Sequence, residues 1–291
     1  MRPTVDSRTG VTCHRSSSRF VLLLTLLVAL PLAVTQGRPT GGGATFDPAC
    51  SDPRAIAIAD LALRAVGGPE GLERVHFLRF SFVLLRGEVE VIRRTHLWDR
   101  VGKRLRYESL DAGGSPLVAI LNLVDPEGRV YRAGRQVEEP LASRLRAEVY
   151  DAWRSDAYWL LMPYRLKDPG ICMEYGGEVV VGDGRYDRLY LTFSSDDPAV
   201  PGGRYRADFD RQTHLLALWS GAAADERPVH STTVWTWGDW RRRDGLLFAL
   251  EKESFTAGEA VRIIHPVLEI DEQVSEDAFI SGTPRSPATV P

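Results

Sequence analysis

The side chains able to do chemistry are scattered along this sequence, and no arrangement of them assembles a reaction. An esterase nucleophile would sit in Gly-x-Ser-x-Gly. Gly113-Gly114-Ser115 instead continues into Pro116-Leu117 and reads as a turn. The sequence contains no His-Glu-x-x-His, no Cys-x-x-Cys and no Walker loop. Gly182-x-Gly184 lies between two strand-like runs, whereas a dinucleotide loop opens onto a helix. The six histidines, His14, His76, His96, His214, His230 and His265, have no metal-ligand spacing. Each reads as a surface or hydrogen-bonded core histidine. Asp208 and Asp210 have the types for an acid pair in glycoside hydrolysis, but they flank Phe209 and run into Arg211-Gln212-Thr213, where Asp210 is placed to cap a turn. Arg165 and Asp168, within Pro163-Tyr164-Arg165-Leu166-Lys167-Asp168-Pro169-Gly170, read as an ion pair pinning a loop, since no nucleophile or base accompanies them. The expectation is a non-catalytic protein without metal or cofactor.

Cysteine usage and the N-terminus speak of export. Arg15 and Arg19 precede an apolar run from Phe20 to Val34, followed by small and polar residues from Thr35. This is the order of a secretory signal peptide, here taken as residues 1–37. An uncleaved signal anchor is the alternative, although a membrane span needs about 20 apolar residues. Cys50 is poorly placed for lipidation, being far downstream of the apolar run. With Cys13 in the export signal, Cys50 and Cys172 remain as an even pair. An oxidising compartment allows them to form a disulfide, and two separate thiols fit the sequence equally. The formal charge of the whole chain is −3, and removing the first 37 residues makes it about −6, which gives nucleic acid no electrostatic foothold. Arg241-Arg242-Arg243 reads as a solvated loop. Lys103, Lys167 and Lys252 are the only lysines, an Arg bias that reads as coding composition.

The elements that would position these groups are mostly strands. Residues 38–51 are rich in Gly, Pro and Thr and read as a flexible linker. Asp52-Pro53 opens a helix, with Ile56, Ala59, Leu63 and Val66 near helical spacing and Gly67-Gly68 as the stop. A short helix from about Pro69 to Val75 follows. The period then falls to 2 from His76 to Leu85. Further strands are expected at 88–98, 104–110, 117–124, 129–133, 178–181, 186–194, 204–210, 214–220, 229–240, 246–255 and 260–270, joined by short turns into antiparallel meanders. One helical block, about 140–165, interrupts them and ends in the apolar Tyr158-Trp159-Leu160-Leu161-Met162. The tail at 281–291 is Pro- and Ser-rich and is expected to be disordered.

A leading helix, a meander, a central helix and a second meander resemble the LolA/LolB-like lipoprotein carriers and receptors, in an uncharacterised exported bacterial branch. The residues that carry the resemblance are Ala65-Val66-Gly67-Gly68, Met162 to Gly170, Tyr205-Arg206-Ala207-Asp208-Phe209-Asp210, Thr213 and Leu215-Leu216. It covers about residues 52–280. It implies an α+β, mainly antiparallel β domain: a half-open barrel of about 11 strands, with helices covering a hydrophobic cavity that holds acyl chains. The N-terminal extension and the charged helical insertion depart from the carriers, so lipoprotein transport itself is not implied.

On this reading Leu78, Phe80, Phe82, Trp98, Tyr107, Phe193, Trp219, Trp235 and Trp237 are candidates to line the cavity. Tyr158, Trp159, Leu161 and Met162 are the corresponding residues of a lid. The same alternation fits an ordinary packed core. Two functions follow. The first is a periplasmic or secreted binding protein for a lipid-like ligand. The second is an envelope interaction module with a filled interior, whose Trp235-Thr236-Trp237-Gly238-Asp239-Trp240 hairpin meets another envelope protein. A secreted hydrolase has the least support.

Overall fold

The computed structural model describes residues 45–125, 127–193, 203–222, 233–256, 258–271 and 273–285. The signal-peptide expectation lies outside them. Helix α1 (Pro53–Val66) begins at Asp52, whose carboxylate accepts from the Arg54 N–H at 2.7 Å. It ends at Gly67, whose φ of +111° favours glycine, and a Cβ there would lie 2.9 Å from the Gly245 carbonyl. Ala55, Ile58, Ala59, Ala62, Leu63 and Val66 form its buried stripe. A short α2 (Pro69–Glu73) follows.

The first meander comprises β1 (Phe77–Arg86), β2 (Val89–Asp99), β3 (Arg104–Leu110), β4 (Pro116–Asn122), β5 (Gly128–Arg132) and β6 (Arg135–Gln136). Helix α3 (Leu141–Leu161) and a 3-10 turn, Met162–Tyr164, connect it to the second. That meander comprises β7 (Ile171–Val181), β8 (Gly184–Phe193), β9 (Gly203–Asp210), β10 (Leu216–Ala222), β11 (Trp235–Arg243), β12 (Leu246–Thr256), β13 (Glu259–Ile264) and β14 (Leu268–Asp271). All join one sheet in the order β6-β5-β4-β3-β2-β1-β13-β12-β11-β10-β9-β8-β7, with β14 also on β1. The pairs described are antiparallel, and Val83↔Ile264 to Arg86↔Val261 join the two meanders. No pairing joins β6 to β7 among the described residues, so the sheet is not closed.

The expectation of about 11 strands is corrected to 14 among the described residues. One expected strand, 260–270, is split by Pro266, which has no N–H to give a ladder. Ser81 bridges the break: its N–H donates to the Val267 carbonyl at 3.0 Å, and its hydroxyl accepts from the Val267 N–H at 2.9 Å. Strand β7 begins at Ile171 rather than at 178, because Gly176-Gly177 forms a bulge against β8 and not a turn. The two-residue β6 carries no periodicity at all.

Two other expectations are corrected at the ends of the domain. The last part of the linker, residues 45–51, is held. Cys50 and Cys172 form a disulfide with Cα atoms 5.3 Å apart, Ser51 Oγ accepts from Met173 N–H at 3.0 Å, and Phe46 packs on the core. Residues 281–285, expected as the start of a disordered tail, are gripped by the buried Arg106. Its guanidinium donates to the carbonyls of Ala278 (3.0 Å), Ser281 (2.6 Å) and Thr283 (2.5 Å). The Arg285 N–H in turn donates to Glu108 at 3.1 Å. Residues 286–291 lie outside the described residues.

Candidate functional site

Strand register aligns one face of the sheet. On β1 it presents Leu78, Phe80, Phe82 and Leu84, and on β2 their partners Trp98, His96, Arg94 and Ile92. Tyr107 pairs with His96 from β3, Ile263 with Leu84 from β13, and Lys252 with both Ile263 and Trp237. Helix α3 meets this face along its whole length. Its Leu145 and Val149 pack with Leu105, Tyr107, Leu121 and Val130. Ala157 and Leu160 pack with Leu78, Phe80 and Phe248. The Trp159 ring lies 4.9 Å from Trp235 and 6.2 Å from Trp237.

A polar contact interrupts this apolar interface. Asp156 of α3 is fully buried and accepts from Arg94 Nη1 at 2.9 Å, while its other oxygen meets His96 Nε2 at 2.9 Å. His96 is itself fully buried and stacks on Phe80 at 4.6 Å. Farther along the sheet, Lys252 is fully buried; its ammonium nitrogen donates to the Ala249 carbonyl at 2.6 Å and lies 4.8 Å from the centre of the Trp237 ring. Burial pushes its pKa well below the ordinary lysine value. His265, also buried, donates from Nδ1 to the Ser81 carbonyl at 2.7 Å. Burial, and then the charge of Lys252, push its pKa well down.

Next to Arg94 the sheet is open. The last pair between β2 and β3 is Arg94↔Ser109, and β2 runs on beyond it to Val89 without β3 beside it. The gap is a cleft of about 560 Å³, within the range of small-molecule sites. Ile92, Arg94, Tyr107, Ser109 and Leu117 are among the residues that line it, with Leu110, Pro116 and Pro284.

The cavity candidates from the sequence pack mostly against other core side chains. Leu78, Phe80, Phe193, Trp219 and Trp237 are buried in the core clusters. Phe82 is buried beside His265, with ring centres 6.1 Å apart. Trp98 meets Trp153 edge-on at 5.0 Å. Trp219 stacks on Tyr205 at 5.0 Å, and burial pushes the Tyr205 pKa up to about 12. Of the nine candidates only Tyr107 lines the 560 Å³ cleft. Among the lid residues Leu161 and Met162 are buried and Tyr158 and Trp159 half-buried. Arg165 and Asp168 form the expected pair, at 2.6 Å. Asp210 caps its turn, accepting from the Thr213 N–H at 2.7 Å, and Asp208 is bound by both ends of Arg188 at 2.7 and 2.8 Å, so the two acids serve structure.

Arg94, His96, Asp156, Lys252 and His265 were not singled out as site residues. The signal for them was parity. Arg94 and His96 alternate with Ile92 and Trp98, Lys252 follows Phe248 and Leu250 at steps of two, and Asp156 sits three residues after Trp153 and four before Leu160. Among the described residues no three His, Cys, Asp or Glu side chains converge to hold a metal.

No family model matches the chain, and no curated protein does. Several solved structures are similar to it. A DUF1329 family protein from Desulfovibrio piger is 15% identical over 79% of this chain and 98% of its own, with a TM-score of 0.46. A putative outer membrane lipoprotein-sorting protein domain from Vibrio parahaemolyticus is 9% identical over 78% and 96%, with a TM-score of 0.43. A LolA superfamily protein from Nitrosomonas europaea is 9% identical over 77% and 96%, again with a TM-score of 0.43.

Proposed function

We propose that the chain is an exported, non-catalytic binding protein for a hydrophobic or lipid-like ligand, taken up between α3 and the inner face of a sheet that curves round it as a half-open barrel. The observation that carries this reading is the α3 interface. One 21-residue helix packs on both meanders of an open sheet, and its Asp156 is tethered to Arg94, in the wall of the 560 Å³ cleft. Tyr107, Leu117 and Ile92 offer apolar wall there. Displacing the helix would extend that wall over the aromatic candidates. Each ligand CH₂ buried would contribute about 0.8 kcal/mol. The disulfide suits an oxidising, extracytoplasmic compartment.

The test is mass spectrometry of organic extracts from protein purified without detergent, combined with titration of a fluorescent fatty acid. A stoichiometric amphiphile or saturable binding supports the reading. Clean protein that binds nothing sinks it. That result would favour the second reading, an envelope interaction module with a filled interior. Its own supporting observation is the contact of Trp159, Trp219, Trp235 and Trp237 with neighbouring rings. Its partner surface would have to use Trp235 and Trp240, since Trp237 is buried.

A further inference from the structure

Buried polar groups on the α3-facing side of the sheet fall into two sets: one beside Asp156, where His96 Nδ1 and Trp98 Nε1 still lack partners, and one around Lys252. Arg94 and His96 share Asp156. On β12 and just after β13, three buried polar side chains, Lys252, Ser254 and His265, have no acid partner among the described residues. Lys252 has only the Ala249 carbonyl and the Trp237 ring, and burial alone acts on its ionisation. Ser254 Oγ, two residues along the same face, has no hydrogen-bond partner. Neither does Nε2 of His265, whose ring senses the charge of Lys252. The indole N–H of Trp237, the strand partner of Lys252, is also unmatched. Side chains buried with unmet hydrogen bonds cost stability, and a lone buried cation costs more. Groups of that kind gather where a ligand completes them.

The register shows where such a ligand would run. Lys252, Ile263, Leu84 and Ile92 are successive partners across β12, β13, β1 and β2. Three strand spacings make this row about 14 Å long. It starts at Lys252 and ends at Ile92 in the wall of the 560 Å³ cleft. The amine of Lys252 lies at one end, three apolar side chains follow, and an opening lies at the other end.

We propose that Lys252, Ser254 and Trp237, with His265 beside them, form the head-group site for the carboxylate of a long-chain amphiphile, whose tail lies along Ile263, Leu84 and Ile92 to the cleft. The ligand class is a monocarboxylate such as a fatty acid. One ammonium balances one carboxylate charge, whereas a phosphate monoester brings about two negative charges. Two O–H or N–H donors complete the carboxylate's acceptors. This proposal rests on the binding function proposed above and assigns its ligand chemistry.

The experiment titrates the disulfide-intact chain, freed of its signal segment and of detergent, with cis-parinaric acid and with its methyl ester. The two probes share a tail and differ in the head group. The wild type should bind the acid more tightly. Lys252→Met keeps the volume of the side chain while removing the amine. It should weaken acid binding by at least about tenfold, as loss of one partner in a buried charged pair does, and leave the ester unchanged. Ser254→Ala, with almost no change in volume, should weaken the acid in the same direction by a smaller factor. Equal acid affinity in wild type and Lys252→Met overturns the head-group site while binding of the ester keeps the general function intact. Should Lys252→Met not fold, Ser254→Ala decides, and unchanged acid affinity there overturns the site. A wild type that binds neither probe overturns both readings.

Discussion

Replacing Asp156 with Ala should loosen α3 from the sheet, and the structure sets the size of the effect. The carboxylate is fully buried and serves two partners, Arg94 and His96, both at 2.9 Å. Removing one member of a buried ion pair costs about 3–5 kcal/mol, because the other charge stays behind without compensation. Here the Arg94 side chain is 24% exposed, so its guanidinium can turn into the cleft and recover water. His96 has no such exit. The expected loss therefore lies at the lower end, about 3 kcal/mol. With a urea m-value toward the upper part of the usual range of about 1–3 kcal/mol per molar, the unfolding midpoint should fall by about 1 M. The assay is urea unfolding of the oxidised protein, followed by tryptophan fluorescence, since Trp153 and Trp159 on α3 report directly on the helix. A double variant, Arg94→Met with Asp156→Leu, should recover the part of the loss due to Arg94, because an apolar pair can replace a buried ionic one at little cost, while His96 stays without its partner. The cycle of single and double variants isolates the coupling. A loss under about 1 kcal/mol for Asp156→Ala, the value of an exposed pair, or additive losses in the double variant, would refute the argument that this contact docks the helix.

Tyr164→Phe should cost about 1–3 kcal/mol, read from thermal unfolding. The Tyr164 hydroxyl lies 2.8 Å from the Val66 carbonyl and accepts from Leu247 N–H at 3.0 Å, tying the end of α1 to β12, and its removal leaves these groups unmet. Cys50→Ser with Cys172→Ser should cost about 4–5 kcal/mol, since the bond spans a sequence separation of 122 and restricts the unfolded chain; a loss under about 1 kcal/mol would mean that Ser51, Asp52 and Phe46 hold the N-terminal segment without it. The depressed pKa of Lys252 gives a pH signature. Between its folded value and about 10.4, the unfolded chain binds more protons than the folded one, so stability rises with pH across that window. Denaturant titrations from pH 7 to 10 should show this rise in the wild type and a smaller one in Lys252→Met, which should also be the more stable protein at pH 7. His265, depressed in the same direction, should add a loss of stability as pH falls below about 6.5, the ordinary histidine value.

The order of elements was legible because the period changes where the structure changes. The step from Ile56, Ala59, Leu63 and Val66 to Leu78, Phe80, Phe82 and Leu84 marks the passage from α1 to β1 at its true place. Turn residues such as Asp210 were legible because their work is local: its carboxylate accepts from the N–H groups of Gln212 and Thr213 only two and three residues away. Sequence separation hid the rest. Arg106 holds carbonyls more than 170 residues away, so the Ser-Pro composition of the last residues pointed to disorder where a buried guanidinium imposes order. The same local reading began a strand at 178, where β7 in fact starts at Ile171 and bulges at Gly176-Gly177, and missed that Pro266 divides a strand. Parity puts Leu78, Phe80 and Phe82 on one side of β1, and the register brings Trp98 and Tyr107 to that same side. Whether they line a space or touch α3 depends on how the helix docks, which parity does not encode.

The polar residues on that face separate into two kinds, and the difference bears on function. Asp156, Arg94 and His96 form a matched set whose members come from the helix and from the sheet. Such a set fixes the seat of α3, and because Arg94 borders the cleft its charge can be returned to water at moderate cost when the helix leaves. A purely apolar seam would hold α3 with less direction, since hydrophobic contact is non-directional. Lys252, Ser254 and His265 all come from the sheet, and α3 supplies no acid to them among the described contacts. The helix therefore supplies an acid at β2, where His96 Nδ1 and Trp98 Nε1 stay unpartnered, and supplies none around Lys252 among the described contacts. A ligand that moved α3 aside would break the first set while meeting the second, so the two sets set opposing terms in one equilibrium. The energy lost on freeing Asp156 would be offset by pairing Lys252 and by burying the tail, and a ligand without a head group would have only the tail to set against it.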